Sequence, residues 1–217
     1  MNIIEAKHAL RRHAIGVDLE GVWLPEDDSM ALCLRPYKGI YEKHFIEILQ
    51  ALVSVADEIK SSDRADREVI YLLWELTRFV RCATAGPHEP TFHGKKLISP
   101  DDKRMIDGWM WIIESATLDL LQGRDVANAL GSFMADYIFR NKRGQEYAFL
   151  TALLSRYLKD LHEEEGVITD DEKPVICHTL VAIGGHTAEV VDLLKSIAAN
   201  SKSAAARKAA QSAIDSL

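Results

Sequence analysis

Apolar residues recur at three- and four-residue steps along most of the chain, the spacing that lines one face of an α-helix. Over 38–60 the face reads Tyr41, Phe45, Ile48, Leu49, Leu52, Ala56 and Ile59, and over 64–84 it reads Val69, Leu72, Leu73, Leu76, Phe79, Val80 and Ala83. A third face, over 101–122, runs Met105, Ile106, Trp109, Ile112, Ile113, Ala116 and Leu120. Its start is well marked: Ser99 suits an N-cap, Pro100 the first helical position, and Asp101 and Asp102 the positive end of the helix dipole. Two of these helices carry a second apolar face, Ile70 with Trp74 in one and Trp111 with Leu118 in the other. A helix apolar on opposite sides is expected to lie between neighbours, which predicts a layered stack.

Further helices are predicted over 125–141 and 144–163. Three shorter ones follow at about 172–183, 188–199 and 203–216, separated by Gly184, Gly185 and Asn200. An N-terminal helix precedes the one region that resists a helical reading. There Val17, Leu19, Val22, Trp23 and Leu24, the turn-like Pro25–Ser29, and Ala31–Leu34 are read as a β-hairpin or an extended arm. Residues 85–100 form a long loop punctuated by Gly86, Pro87, Pro90 and Gly94. The expected architecture is one all-α domain, a curved multi-helix stack of α-solenoid type. It divides into an N-terminal helix with its hairpin or arm (1–35), a helical core (36–165) and a C-terminal subdomain (166–217).

The C-terminal helices carry a specific pattern. Val175–Gly184 (VICHTLVAIG) is followed by Glu189–Ile197 (EVVDLLKSI) and Ala206–Ile214 (ARKAAQSAI). This resembles the short-helix HEAT-like repeat. Leu180, Ile183 and Gly184 match its first helix, Val190, Val191, Leu193 and Leu194 its second, and Arg207, Ala209, Ala210 and Ala213 the opening of the next unit. The resemblance implies close packing at the alanines, with aliphatic side chains filling the seam between helices. It covers about one and a half repeats, and no 30- to 40-residue period is found upstream of residue 166.

Composition narrows the function classes. The 217 residues are 47% hydrophobic and 27% charged, which excludes a disordered or collagen-like chain and a small disulfide scaffold. Six prolines and twelve glycines are too few for the frequent turns of a sandwich or barrel. Cys33, Cys82 and Cys177 are odd in number and widely spaced, and read as buried thiols of a reducing compartment. The first sixteen residues carry Glu5, Lys7, His8, Arg11 and Arg12 with no apolar run, unlike a secretory signal. No apolar stretch reaches the roughly 18 to 20 residues of a membrane span, so a soluble, cytoplasmic protein is expected. With 26 basic against 33 acidic residues, a net charge of −7 and a pI near 5.6, the chain lacks the basic footprint of a nucleic-acid binder.

Candidate chemistry is sparse. His88, Glu89 and His93 place two imidazoles and a carboxylate in one loop and could ligate a divalent metal. Their spacing is not HExxH, and Pro87 and Pro90 oppose a helix that would align them. Cys177 and His178 are adjacent, so on a helix they point about 100° apart and make no nucleophile–base pair. Glu47, Asp57, Glu58, Glu75 and Glu114 sit off the apolar stripes and read as solvated charge. No GxxxxGK[ST], GxGxxG or GxSxG motif occurs, and no cofactor is expected.

Charge is distributed unevenly. Asp160, Glu163, Glu164, Glu165, Asp170, Asp171 and Glu172 fall within thirteen residues that hold no Lys or Arg; outside them, 26 acidic residues balance the 26 basic ones. Such a run solubilises a loop or steers a basic protein partner over a distance. The expected function is a non-catalytic protein-binding module, by analogy of size and charge an inhibitor or immunity-type partner of a basic protein such as a bacterial toxin. These seven acids and Trp111 are its candidate contacts. The alternative is a small metal-dependent or hydrolytic enzyme using the His88–His93 loop. Oligomeric state is not readable from the chain.

Overall fold

The computed structural model describes residues 1–17, 20–25, 28–34, 37–60, 66–84, 98–163, 172–184 and 186–217, and these form an all-α protein. The helices cluster into two compact units, residues 1–125 and residues 126–217.

The first unit contains α1 (Ile3–Ile15), α2 (Met30–Leu34), α3 (Glu42–Lys60), α4 (Arg67–Thr84) and α5 (Pro100–Leu121). Helix α1 packs on α3 and α4, and α5 packs on the same two helices. Each start is set locally. Asn2 and Glu5 form a reciprocal capping box on α1. The Asp66 carboxylate accepts from the Glu68 and Val69 amides at the head of α4 while pairing with Lys7 of α1. Ser99 caps α5 through the Asp102 amide at 3.0 Å, with Pro100 in the first turn, as its sequence signals require. The apolar stripes of α3, α4 and α5 meet in one core, where the rings of Phe45 and Trp109 stack at 5.0 Å.

The expected hairpin is not formed. Among the described residues there is no strand. Two isolated bridges involve the described residues of the 17–34 segment, Val17 with Trp23 and Leu34 with Tyr37, and Met30–Leu34 is a short helix. Ser29 starts that helix, its carbonyl accepting from the Cys33 amide, and Met30, Ala31, Cys33 and Leu34 are buried. Met, Ala and Leu favour helix over strand, and α2 packs on α1 and α4 with four of its five residues buried. The entry to this segment needs glycine at position 16. Its φ is +83°, and an added β-carbon would lie 2.8 Å from the Leu32 side chain.

The second unit contains α6 (Val126–Arg140), a 3₁₀ segment (Gln145–Leu150), α7 (Thr151–Glu163), α8 (Glu172–Ala182), α9 (Ala188–Asn200) and α10 (Ala204–Asp215). The 144–163 helix of the sequence reading is thus divided. The 3₁₀ turn brings side chains three apart into line, and Tyr147 and Leu150 are both fully buried. Helices α6 and α7 pack on α8, α10 packs on both α8 and α9, and α9 also packs on α7. Leu180, Ile183, Val190, Leu194 and Ala210 are all buried there, while Ile214 is half-buried. No solenoid is evident among the described helices.

Candidate functional site

Helices α4 and α5 run side by side in opposite directions, with Arg81 near the end of one beside Glu114 in the middle of the other. The second apolar faces of these two helices are not sandwiched, as their sequence pattern suggested. Trp74 is 56% exposed, Trp111 53% and Leu118 56%. Trp74 and Leu118 converge on a groove of about 220 Å³ between the two helices. Helix α4 contributes Ile70, Leu73, Trp74 and Thr77 to it, and α5 contributes Glu114, Thr117, Leu118 and Leu121. Trp111 stands one turn before Glu114 on the same exposed row of α5.

The polar groups around this groove are engaged within the chain. The Thr77 hydroxyl donates to the Leu73 and Trp74 carbonyls, and the Thr117 hydroxyl to the Ile113 carbonyl at 2.7 Å. Arg81 grips Glu114 with two donors, Nε to Oε1 at 2.6 Å and Nη2 to Oε2. Arg78 donates to Glu75 at 2.6 Å and lies 5.3 Å from the centre of the Trp74 ring. What the groove offers an occupant is therefore apolar contact with an ionic rim, and no poised nucleophile, acid or base.

A second groove of about 330 Å³ lies on the other side of α4, with Trp23, Tyr71 and Phe79 in its wall together with Leu32 of α2. Trp23 is 70% exposed and Tyr71 is 51% exposed. Three of the four tryptophans thus face solvent in the first unit, and only Trp109 is enclosed.

The titratable cluster of this unit is built around a buried imidazole. His13 is fully enclosed; its Nε2–H donates to Glu47 Oε2 at 3.0 Å, and its Nδ1 accepts from the Met30 amide at 3.2 Å. Both contacts are satisfied only by the neutral imidazole. Arg12 holds the other Glu47 oxygen, and the buried His44 ring lies 5.1 Å from His13. Burial lowers the His13 pKa, and the hydrogen bond from His13 lowers that of Glu47. This cluster joins α1, α2 and α3, with His13 enclosed and Arg12 and Glu47 partly exposed, which makes it a structural joint. Cys177 is equally removed from reaction, since burial pushes its thiol up to about 12. Its neighbour His178 is exposed beside the Phe139 ring.

The residues singled out in the sequence are scattered. Trp111 is exposed on α5, outside the lining of the α4–α5 groove. His88, Glu89 and His93 lie outside the described residues, as do Glu164, Glu165, Asp170 and Asp171. Asp160 is half-buried, and Glu163 is exposed with Lys159 at 3.9 Å. Glu172 is engaged inside the second unit: its carboxylate accepts from the Tyr157 hydroxyl at 2.8 Å and from Ser132 at 3.3 Å, joining α8 to α7 and α6. Burial, and then the Glu172 hydrogen bond, raise the Tyr157 pKa. Among the described residues no group of three or more His, Cys, Asp or Glu side chains is placed to hold a metal ion, and no helix is long and apolar enough to cross a membrane. Sequence reasoning missed Trp74, Leu118 and Leu121 as surface residues, although the second apolar faces were their signal. No family model, curated protein or solved structure matches the chain.

Proposed function

We propose that the protein is a non-catalytic protein-binding module whose docking face is the α4–α5 groove with its tryptophan banks. The observation that carries this is the convergence of two helices' second apolar faces on one exposed groove. Large apolar side chains gathered at the surface cost solvation unless a partner covers them. Tryptophan and arginine side by side, as in Trp74 with Arg78, are the composition that dominates binding energy at protein contacts.

Two finer proposals stand beside it. The α8–α10 helices form a HEAT-like unit, supported by the shared burial of Leu180, Leu194 and Ala210 and by Arg207 donating to the Ser201 and Lys202 carbonyls where α10 begins. The acidic run 160–172 steers a basic partner, supported by its holding the whole charge imbalance of the chain.

A photo-crosslinking amino acid at Leu118, with one at the exposed Ser212 of α10 as control, tests the docking face in cells. A discrete protein adduct specific to position 118, identified by mass spectrometry, is the expected result. Equal or absent labelling at both positions refutes the docking role of this face.

A further inference from the structure

We infer that His13 is an acid-release latch on α2: on taking up a proton its imidazole keeps its contact with α3 and loses its contact with α2. The ring is fully enclosed and has a different neighbour at each nitrogen. Nε2–H donates to Glu47 of α3 at 3.0 Å, and Nδ1 accepts at 3.2 Å from the amide of Met30, the first residue of α2. A proton can be added only at Nδ1, where it would meet the amide hydrogen head-on. Turning the ring over does not relieve this, because an imidazolium has a donor at both nitrogens. The Glu47 bond, by contrast, becomes charge-assisted and tightens.

The charges around the ring favour the same division. Glu47 and Lys43 face it from α3 and Arg12 from its own helix, and the buried His44 ring lies 5.1 Å away. Helix α2 has no acidic or basic side chain. On α4, which packs on both α1 and α2, Glu68 is paired with Arg11 and Glu75 with Arg78. Burial, the largest influence, lowers the His13 pKa from its ordinary 6.5, while the Glu47 hydrogen bond acts in the opposite sense. Once α2 moves off the ring, burial is relieved and Glu47 remains. The opened form then binds a proton that the closed form refuses, so a pH below about 6.5 favours opening.

Helix α2 is suited to moving as a unit. With five residues it has no helical stability of its own and is held by packing on α1 and α4. Its Ala31 and Leu32 also wall the groove that contains Trp23, Tyr71 and Phe79. Release of α2 removes that wall. The second groove is therefore complete at neutral pH and is opened in a growing fraction of molecules as the pH falls.

Amide hydrogen exchange of the full chain between pH 7.5 and 5, read by NMR and corrected for the intrinsic pH dependence of exchange, tests this. The Cys33 amide, which donates to the Ser29 carbonyl, reports on α2, and the amide of the fully buried Leu52 reports on the core of α3. Cys33 should exchange faster than Leu52 throughout. Its protection should fall severalfold from pH 7.5 to 5, up to the roughly thirtyfold that a freed imidazole of ordinary pKa 6.5 supplies. In His13→Gln this fall should disappear. That variant keeps His44, so a fall that persists in it belongs to another group and overturns the inference. Cys33 and Leu52 protected alike, or a Cys33 protection indifferent to pH in the parent, overturns it too. The parent alone gives a second test should the variant misfold. At pH 7.5 the imidazole nitrogen shifts of His13 should show Nδ1 bare and Nε2 protonated, and the opposite tautomer overturns the inference.

Discussion

The ring of Tyr157 lies against the backbone of α6 at Gly131, where a β-carbon would come within 2.4 Å of the ring carbons. The absence of a side chain at one position thus sets the approach of α6 and α7. It also positions the Tyr157 hydroxyl to reach Glu172 on α8. Gly131→Ala should therefore destabilise the protein by about 1–3 kcal/mol through overpacking, despite the roughly 1 kcal/mol that alanine gains in helix propensity. Urea unfolding measures it, and a stabilised variant would mean that the ring can move aside freely.

Glu172 and Glu163 belong to the same acidic run but differ in surroundings. Glu172→Gln replaces a charged acceptor of the Tyr157 and Ser132 hydroxyls, and a loss of about 1–2 kcal/mol is expected. Glu163→Gln, exposed beside Lys159, should leave stability within about 0.5 kcal/mol of the parent. Equal unfolding midpoints for both variants would show that the Glu172 contacts contribute nothing.

Acid should loosen the joint of α1, α2 and α3. His13 titrates below its ordinary 6.5 because it is buried, and the charges facing it are Glu47, Arg12 and Lys43. As the pH falls below about 6.5 the unfolded chain takes up a proton that the folded chain refuses, so stability declines. Glu47, also depressed, adds its own loss only at lower pH, below the ordinary carboxylate range of about 4.3. His13→Gln should flatten the stability change between pH 7.5 and 5 measured by urea midpoints. An unchanged pH slope in that variant would assign the acid sensitivity elsewhere.

Leu194 is fully buried on α9, the helix that packs on α10 and α7. Leu194→Ala should cost about 2–5 kcal/mol. A loss below about 0.5 kcal/mol would remove the shared core on which the HEAT-like proposal depends.

Trp109 and Trp111 sit two positions apart on α5 with opposite fates, the first enclosed against Phe45 and the second half in solvent. Acrylamide should quench a variant retaining only Trp111 much more than one retaining only Trp109, and equal quenching would mean that the two are equally enclosed.

Helix periodicity is written in neighbouring residues, which is why the cores of α3, α4 and α5 could be read directly from their stripes and the start of α5 from Ser99 and Pro100. The same holds for Leu180, Val190 and Leu194, whose spacing alone places them inside. Periodicity states that a face is apolar, but not whether it meets a neighbour or water. Ile70–Trp74 and Trp111–Leu118 read as two sandwiched faces, and only the docking of α4 beside α5 turned Ile70, Trp74 and Leu118 into one exposed groove, with Trp111 exposed beyond its lining. Likewise Ala31–Leu34 reads with the extended segment before it, although Met30, Ala31, Leu32 and Leu34 are good helix formers, and the short helix packs on α1 and α4 with four of its five residues buried. Glu172 looked like one more acid in a solvated run until Tyr157, fifteen residues away, and Ser132, forty away, took its carboxylate. Local spacing acts through the rotation of one helix about its own axis; the fate of a second face or a lone carboxylate depends on contacts between distant segments, which only the folded chain brings together.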